Sequence, residues 1–137
     1  MSSTTQIAPP LRWRRVWWSL GILGATLVVV LSLAPTIPDM GLDFANADKL
    51  EHAFAYFAMS SWFAALLPRS RFWLIALVLL LLGASVEFTQ LLMNVGREAE
   101  WLDELANASG VLAGLCLAAA LRTSLLVQLE RVLGIAQ

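Results

Sequence analysis

Four long stretches of this chain contain no charged residue, and they constrain its fold more than any other feature. The stretches cover residues 16–38, 53–68, 72–86 and 105–121, and the third continues apolar beyond Glu87 to about residue 93. A bilayer core of roughly 30 Å is crossed by about 20 helical residues. Backbone groups in lipid must be satisfied within a segment, and a barrel would show alternating strands instead. We therefore predict an all-α integral membrane four-helix bundle with spans at about 16–35, 49–67, 72–94 and 104–124.

The composition agrees with a membrane protein and excludes several other classes. Hydrophobic residues make up 59% of the 137 residues and charged residues 14%, whereas soluble domains average about 45–50% and about 25%. Disordered and nucleic-acid-binding proteins need charge that this chain lacks, so we expect no nucleic acid among its partners. The single cysteine, Cys116, has no partner for an internal disulfide, and its apolar neighbours in the sequence indicate a packing role.

The chain divides into one membrane domain and two short ends. We predict a flexible basic N-terminal tail at 1–15, a four-helix membrane domain at 16–127 and a cytoplasmic C-terminal tail at 128–137. The apolar part of the first span, about 20 residues, exceeds the roughly 7–15 residues of a signal-peptide core. Pro35 also directly follows the candidate cleavage region 32–34. We therefore expect the first helix to remain in the protein.

Charged residues are distributed asymmetrically about the four spans. The loops after the first and third spans are acidic, with Lys49 and Arg97 as their only basic residues, and the remaining basic residues all fall on the other side. The positive-inside rule makes that other side cytoplasmic, with both termini inside. The basic residues predicted to be cytoplasmic are Arg12, Arg14, Arg15, Arg69, Arg71, Arg122 and Arg131. Tryptophans near the span ends are predicted to form an aromatic belt, namely Trp13, Trp17, Trp18, Trp73 and Trp101.

Polar residues recur at helical spacing on the last three spans, always toward the outer side. A carboxylate within a membrane helix costs about 2.5–3.5 kcal/mol on insertion scales, so Glu87 is expected to face protein or water. Residues three and four apart share one helix face, so each span carries a polar stripe. The stripes are Asp48, His52 and Tyr56 on the second span; Gly83, Glu87, Gln90 and Asn94 on the third; and Asp103, Asn107, Gly110 and Gly114 on the fourth.

These stripes predict an outward-facing site for an anionic group. Lys49 and Arg97 would hold the anion, near helix N-termini whose dipoles have the favourable sign. His52 would act as an acid or base together with Glu87 or Asp48. The remaining residues would bind or orient the ligand, namely Tyr56, Gln90, Asp103 and Asn107.

Purely structural explanations exist for several of these residues. Gln90 and Asn107 could simply join helices by hydrogen bonds, and Asp48 and Asp103 are acids at helix starts. Gly110 and Gly114 form a GxxxG pattern, which we interpret as close helix packing. We assign a solvated face to Asp39, Asp43, Glu98 and Glu104. A single histidine among scattered carboxylates does not predict a metal site, and we expect no metal and no cofactor.

Three ordered motifs resemble the VanZ-like family of small multi-pass membrane proteins, named for a member of a teicoplanin-type glycopeptide-resistance cluster. They are DKLEHAFAY at 48–56, EFTQ at 87–90, and Gly96-Arg97 followed by Asp103 and NASG at 107–110. The family more often has another residue at Glu100, so no role is carried to that position. The resemblance implies a bacterial inner-membrane protein with a role at the cell envelope, but it does not imply a particular reaction.

Three classes of function follow from these features. The first is binding or processing of an anionic lipid or lipid-linked envelope precursor, which would lower glycopeptide susceptibility. The second is a small proton-coupled transporter that uses Glu87, although its position in the third span and the one-sided arginines argue against this class. The third is a structural or assembly protein whose polar residues only join helices. Whether the chain is an enzyme stays open at this level.

Overall fold

The described part of the chain is entirely helical. The computed structural model describes residues 11–34, 47–93, 101–121 and 124–135. These residues form α1 (Arg14–Leu33), α2 (Ala47–Leu66), α3 (Phe72–Met93), α4 (Trp101–Ala120) and α5 (Leu125–Val132), and a short 3-10 turn, Arg69–Arg71, precedes α3. No strand occurs within these ranges. The predicted all-α class is therefore confirmed for the described residues.

Three helical segments have the length and apolarity needed to cross a membrane. They are Arg14–Leu33, Arg69–Met93 and Trp101–Ala120. Large apolar side chains such as Leu23, Leu81 and Leu112 point outward and are exposed, which is expected of helices that contact lipid. The second predicted span, at about 49–67, corresponds to α2, which is of similar length but carries Asp48, Lys49 and Glu51 near its start and is not among the three.

Helix α2 packs most closely against α4, through the two glycines of the GxxxG pattern. A methyl group on Gly110 would collide with the backbone carbonyl of Ala53. One on Gly114 would collide with the side chain of Ser60 and the carbonyl of Phe57. The predicted packing role of these glycines is confirmed, because no larger residue fits between the two backbones. The core beside this contact consists of Tyr56, Met59, Ala64, Ile75, Leu79 and Val111.

Helix α5, which the sequence analysis did not predict, packs against the start of α1. The side chain of Glu130 is fully buried and accepts hydrogen bonds from the backbone N–H groups of Arg12 and Trp13, both at 2.9 Å, and from Trp17 Nε1 at 2.7 Å. The regions predicted as an N-terminal tail and a C-terminal tail are thus joined at these residues. Trp17 belongs to this buried contact, so its predicted place in an aromatic belt is wrong.

Basic side chains also bind the carboxyl ends of helices at this end of the molecule. Arg14 Nη2 donates to the carbonyl of Leu66 at 2.9 Å, and Arg69 Nη2 donates to the carbonyl of Leu121 at 2.7 Å. The last carbonyls of a helix lack partners within the helix and carry the negative end of its dipole. The arginines therefore stabilise the ends of α2 and α4, while the starts of those helices lie at the opposite end of the molecule.

Candidate functional site

Side chains from the starts of α2 and α4 and from the second half of α3 meet at one end of the molecule. We call this group the polar cluster; its members are Asp48, Lys49, His52, Glu87, Asp103, Glu104 and Asn107. Contacts across the cluster join α2 to α4 and bring α3 against both. The packing of the three helices therefore brings one or two residues from each predicted stripe to one place, namely Asp48, His52, Glu87, Asp103 and Asn107.

A chain of hydrogen bonds runs from His52 through Asn107 to Glu104. Asn107 Nδ2 lies 3.1 Å from Glu104 Oε2, and His52 Nδ1 lies 3.1 Å from Asn107 Oδ1. A carboxylate can only accept, so the amide nitrogen faces Glu104 and the amide oxygen faces the imidazole. That oxygen is also only an acceptor, and His52 Nδ1 must therefore carry the proton. In the neutral ring, Nε2 then has the available lone pair.

Lys49 forms an ion pair with an acid from each of two helices. Its Nζ lies 2.9 Å from Asp48 Oδ2 on the same helix and 3.1 Å from Asp103 Oδ1 on α4. The Asp103 side chain is mostly buried, whereas Asp48 remains 46% exposed. The lysine thus connects a solvent-accessible carboxylate to a buried one. Asp48 and Asp103 lie in the first turns of α2 and α4, as the alternative interpretation held, and both are also members of the cluster.

His52, Glu87 and Asp103 form the centre of the cluster. One nitrogen or oxygen atom from each of the three side chains lies within 4.8 Å of the other two. Both carboxylate oxygens of Glu87 are shielded from solvent. Glu87 therefore faces protein, as the cost of placing a carboxylate in lipid requires.

Gly83 allows α3 to approach this centre. A methyl group at Gly83 would lie 2.5 Å from Glu104 Oε2, 2.9 Å from Asn107 Nδ2 and 3.2 Å from the Tyr56 hydroxyl. The absence of a side chain thus leaves room for three polar groups. The hydroxyl of the buried Tyr56 lies beside this position, at the inner edge of the cluster.

The structure places Gln90 and Glu104 differently from what the sequence predicts. Gln90 Nε2 donates to the carbonyl of Ser32 on α1 at 2.8 Å, so this side chain joins α3 to α1. Glu104, which the sequence analysis assigned to a solvated face, instead binds Asn107 within the cluster. The signal for Glu104 was its position three residues before Asn107, which puts both on one side of α4.

Several residues discussed above lie outside the described ranges. Among the site residues this applies to Arg97, and among the others to Pro35, Asp39, Asp43, Asn94, Gly96, Glu98, Glu100 and Arg122. Arg97 belongs to the segment 94–100, which connects the end of α3 to the start of α4. Both of those helix ends flank the polar cluster.

The described members of the polar cluster carry more negative than positive formal charge. Four carboxylates, on Asp48, Glu87, Asp103 and Glu104, are accompanied by one ammonium group, on Lys49, among the described members. The formal excess is three negative charges. An arrangement of this kind attracts cations, and it accepts an anion only when further positive charge is supplied.

Three of the described helices are long and apolar enough to cross a membrane, and the polar cluster lies at one end of α2, α3 and α4. Comparison with protein-family models, with curated proteins and with solved structures found no match to this chain. The functional argument therefore depends on the residues and the geometry of the cluster.

Proposed function

We propose that this chain is a VanZ-like protein of the bacterial inner membrane that binds or processes an anionic lipid or a lipid-linked envelope precursor at the polar cluster. In this proposal four helices span the membrane, both termini are cytoplasmic, and the cluster faces the outer leaflet. Such an activity would lower susceptibility to teicoplanin-type glycopeptides. The resemblance of segments 48–56 and 87–90 to the VanZ-like pattern supports the family assignment.

The observation that carries the proposal is the convergence of His52, Glu87 and Asp103 within 4.8 Å. Helix packing alone does not require three ionisable side chains from three helices at one place, because small and apolar residues pack membrane helices at lower cost. Ionisable residues at membrane depth commonly mark ligand or ion pathways. The cluster is therefore better explained by a ligand than by helix packing.

The proposed orientation is supported by the distribution of positive charge. Arg14 and Arg69 bind the carboxyl ends of α2 and α4 at the end away from the cluster. Arginine-rich ends of membrane helices face the cytoplasm. The polar cluster would then lie at the level of lipid head groups on the outer side.

Every predicted site residue except Gln90, which joins α3 to α1, has a role in the proposal. Lys49 and Arg97 provide positive charge for the anionic head group, and His52 Nε2 accepts or delivers a proton with Glu87 or Asp48 as its partner. Asp103 and Asn107 position Lys49 and His52 through the contacts described above. Tyr56 bounds the inner edge of the site.

Lipid binding by the purified full-length protein tests the proposal. The probes are short-chain phosphatidylglycerol and undecaprenyl phosphate, with phosphatidylcholine as the neutral comparison, and the variants are Glu87→Gln, His52→Ala and Arg97→Ala. We expect each variant to lose most of its anionic-lipid binding while its helical circular dichroism is unchanged. Glu51→Gln removes a carboxylate from the same helix as His52 without touching the described cluster, and serves as the matched control.

The corresponding cellular test measures teicoplanin susceptibility of bacteria that express the same variants. If Glu87→Gln, His52→Ala and Arg97→Ala all bind lipid and protect cells like the unaltered protein, the proposed site is wrong.

A structural role is the second candidate, and one contact favours it. Gln90 donates to the carbonyl of Ser32, which is a helix-joining hydrogen bond and involves no ligand. If the whole cluster has the same purpose, replacing His52 and Glu87 together by leucine will preserve both the fold and the cellular function. Retention of the fold with loss of lipid binding would favour the ligand site.

A further inference from the structure

We propose that His52, Glu87 and Asp103 bind a divalent transition-metal ion, such as Zn²⁺ or Mn²⁺, between α2, α3 and α4. A second part rests on the proposed function: the ion supplies further positive charge, in addition to that of Lys49 and Arg97, through which an anionic phosphate head group is held. Neither part follows from the sequence, in which one histidine and dispersed acids predict no metal site.

The donor atoms suit such an ion. The group offers one imidazole nitrogen and two carboxylates, a mixture that transition metals accept, whereas Mg²⁺ and Ca²⁺ prefer oxygen ligands alone. One atom from each side chain lies within 4.8 Å of the others. Ligands at about 2.0–2.1 Å from a tetrahedral ion lie about 3.3 Å apart. Side-chain rotations that bring the donor atoms closer together by roughly 1.5 Å would therefore place them at coordination distance from one metal ion.

Asn107 prepares His52 for coordination. Because the amide oxygen accepts the Nδ1 proton, the neutral ring keeps the lone pair on Nε2. Metal-binding histidines characteristically donate their second ring N–H to a carbonyl or carboxylate, which holds the ring and its tautomer. Glu104 in turn holds the amide through Asn107 Nδ2. The chain from Glu104 to His52 thus has the form of an outer shell around a metal ligand.

Charge also favours a cation at this place. The described cluster has four carboxylates and one ammonium group. Asp103 is buried, and among the described residues the contact of its Oδ1 is the ion pair with Lys49. A divalent ion would reduce the negative excess and would make an anionic head group acceptable. Three protein ligands leave one or more coordination positions open, and a phosphate oxygen could occupy one of them.

Lys49 is the built-in competitor of the metal. Its ammonium group contacts Asp103 Oδ1 at 3.1 Å and would be repelled by a nearby divalent cation. On metal binding the flexible lysine would leave Asp103 and keep its pair with Asp48, which is half-exposed. Removing the ammonium should therefore tighten metal binding, an effect opposite to that of removing a ligand.

The first experiment is calorimetric titration of the chelator-treated full-length protein in detergent with ZnCl₂ and with MnCl₂. We expect one bound ion, with affinity at least tenfold lower for Glu87→Gln and for Asp103→Asn, and about tenfold lower for Asn107→Leu through its effect on His52. Glu51→Gln should match the unaltered protein. Equal affinities in Glu87→Gln, Asp103→Asn and the unaltered protein would overturn the site.

Two further measurements keep the test independent of folding defects in the variants. Co²⁺ bound to the unaltered protein should show visible absorption bands of a low-coordinate site with nitrogen and oxygen ligands, and bands of the hexaaqua ion alone would contradict the proposal. Lys49→Met should bind Zn²⁺ several-fold more tightly than the unaltered protein. Unchanged or weaker binding would mean that Lys49 is the permanent counter-ion of these acids, and the proposed metal would be wrong.

The last experiment distinguishes metal binding from lipid binding. Short-chain phosphatidylglycerol is titrated into metal-loaded and EDTA-treated protein, and we expect at least tenfold stronger binding to the loaded form. Metal binding without lipid binding would contradict the proposed function but not the metal site. Equal lipid binding with and without EDTA would contradict the metal-bridged head group but not the proposed function.

Discussion

Glu130 accepts a hydrogen bond from the indole Nε1 of Trp17 at 2.7 Å, although the two residues are 113 positions apart. The same carboxylate binds the backbone N–H groups of Arg12 and Trp13, where α1 begins. The first N–H groups of a helix have no partners within the helix. An acid from the end of the chain therefore caps the beginning of α1 and holds α5 against it.

Replacing Glu130 by alanine should destabilise this end of the protein. Three N–H donors would lose their acceptor, and a hydrogen bond to a charged group contributes about 1.5–3 kcal/mol. We expect the free energy of unfolding to fall by about 1.5–3 kcal/mol, measured by thermal and denaturant unfolding in detergent. Glu51→Ala is the control, and equal unfolding of the two variants would contradict the capping role.

The same contact predicts a pH dependence of stability. Burial opposes ionisation of Glu130, but the hydrogen bonds from Trp13, Arg12 and Trp17 together with the charge of Arg12 outweigh it, so its pKa in the folded protein lies below the ordinary value of 4.5. A lowered folded-state pKa contributes stability that is complete above pH 4.5 and is lost as the pH falls through the folded value. The stability difference between the unaltered protein and Glu130→Gln should therefore shrink below pH 4.5. A difference that stays constant from pH 7 to pH 3 would contradict this prediction.

Gly110→Ala should weaken the contact between α2 and α4. The added methyl group would collide with the carbonyl of Ala53, and overpacking of this kind costs about 1–3 kcal/mol. Gly24 on α1 has nothing within 4 Å of an added methyl group, so Gly24→Ala should be neutral or slightly stabilising. Comparison of the two unfolding midpoints in the same detergent checks the prediction; similar midpoints would argue against a close α2–α4 contact.

Gly83→Ala should affect the polar cluster more than the fold as a whole. A methyl group there would displace Glu104 and Asn107, whose side chains lie within 3 Å of its position. We expect roughly tenfold weaker binding of anionic lipid, because loss of the Asn107 contact releases the His52 ring. Lipid titration of Gly83→Ala beside Gly24→Ala gives the measurement, and unchanged affinity would show that Gly83 does not shape the site.

Gln90→Met should alter stability without altering ligand binding. Its hydrogen bond to Ser32 joins α3 to α1, and membrane hydrogen bonds of this type average about 0.6 kcal/mol. Methionine keeps a similar volume, so the expected loss is about this size. Lipid and metal affinities should remain within a factor of two of those of the unaltered protein. A much larger loss of affinity would show that Gln90 takes part in ligand binding.

Some features of the candidate site were predictable because they depend on spacing along one helix. His52 follows Asp48 by four residues and Asn107 follows Asp103 by four, so each pair shares a helix face whatever the helix packs against. Glu87 was predictable as an inward-facing residue from the cost of a carboxylate in lipid. The metal-binding combination was not predictable, because it depends on the rotation of α3 relative to α2 and α4.

The sequence by itself determined that this chain forms long apolar helices with polar residues toward one end, because hydropathy and helical periodicity are local properties. It also determined the close packing around Gly110 and Gly114, since small residues at this spacing let two helices approach. Only the tertiary structure decided that Glu104 faces the cluster, that Gln90 binds α1, and that Glu130 caps a helix more than a hundred residues earlier in the chain. Each of these depends on which helix lies opposite a side chain, and sequence spacing within one helix contains no information about that neighbour.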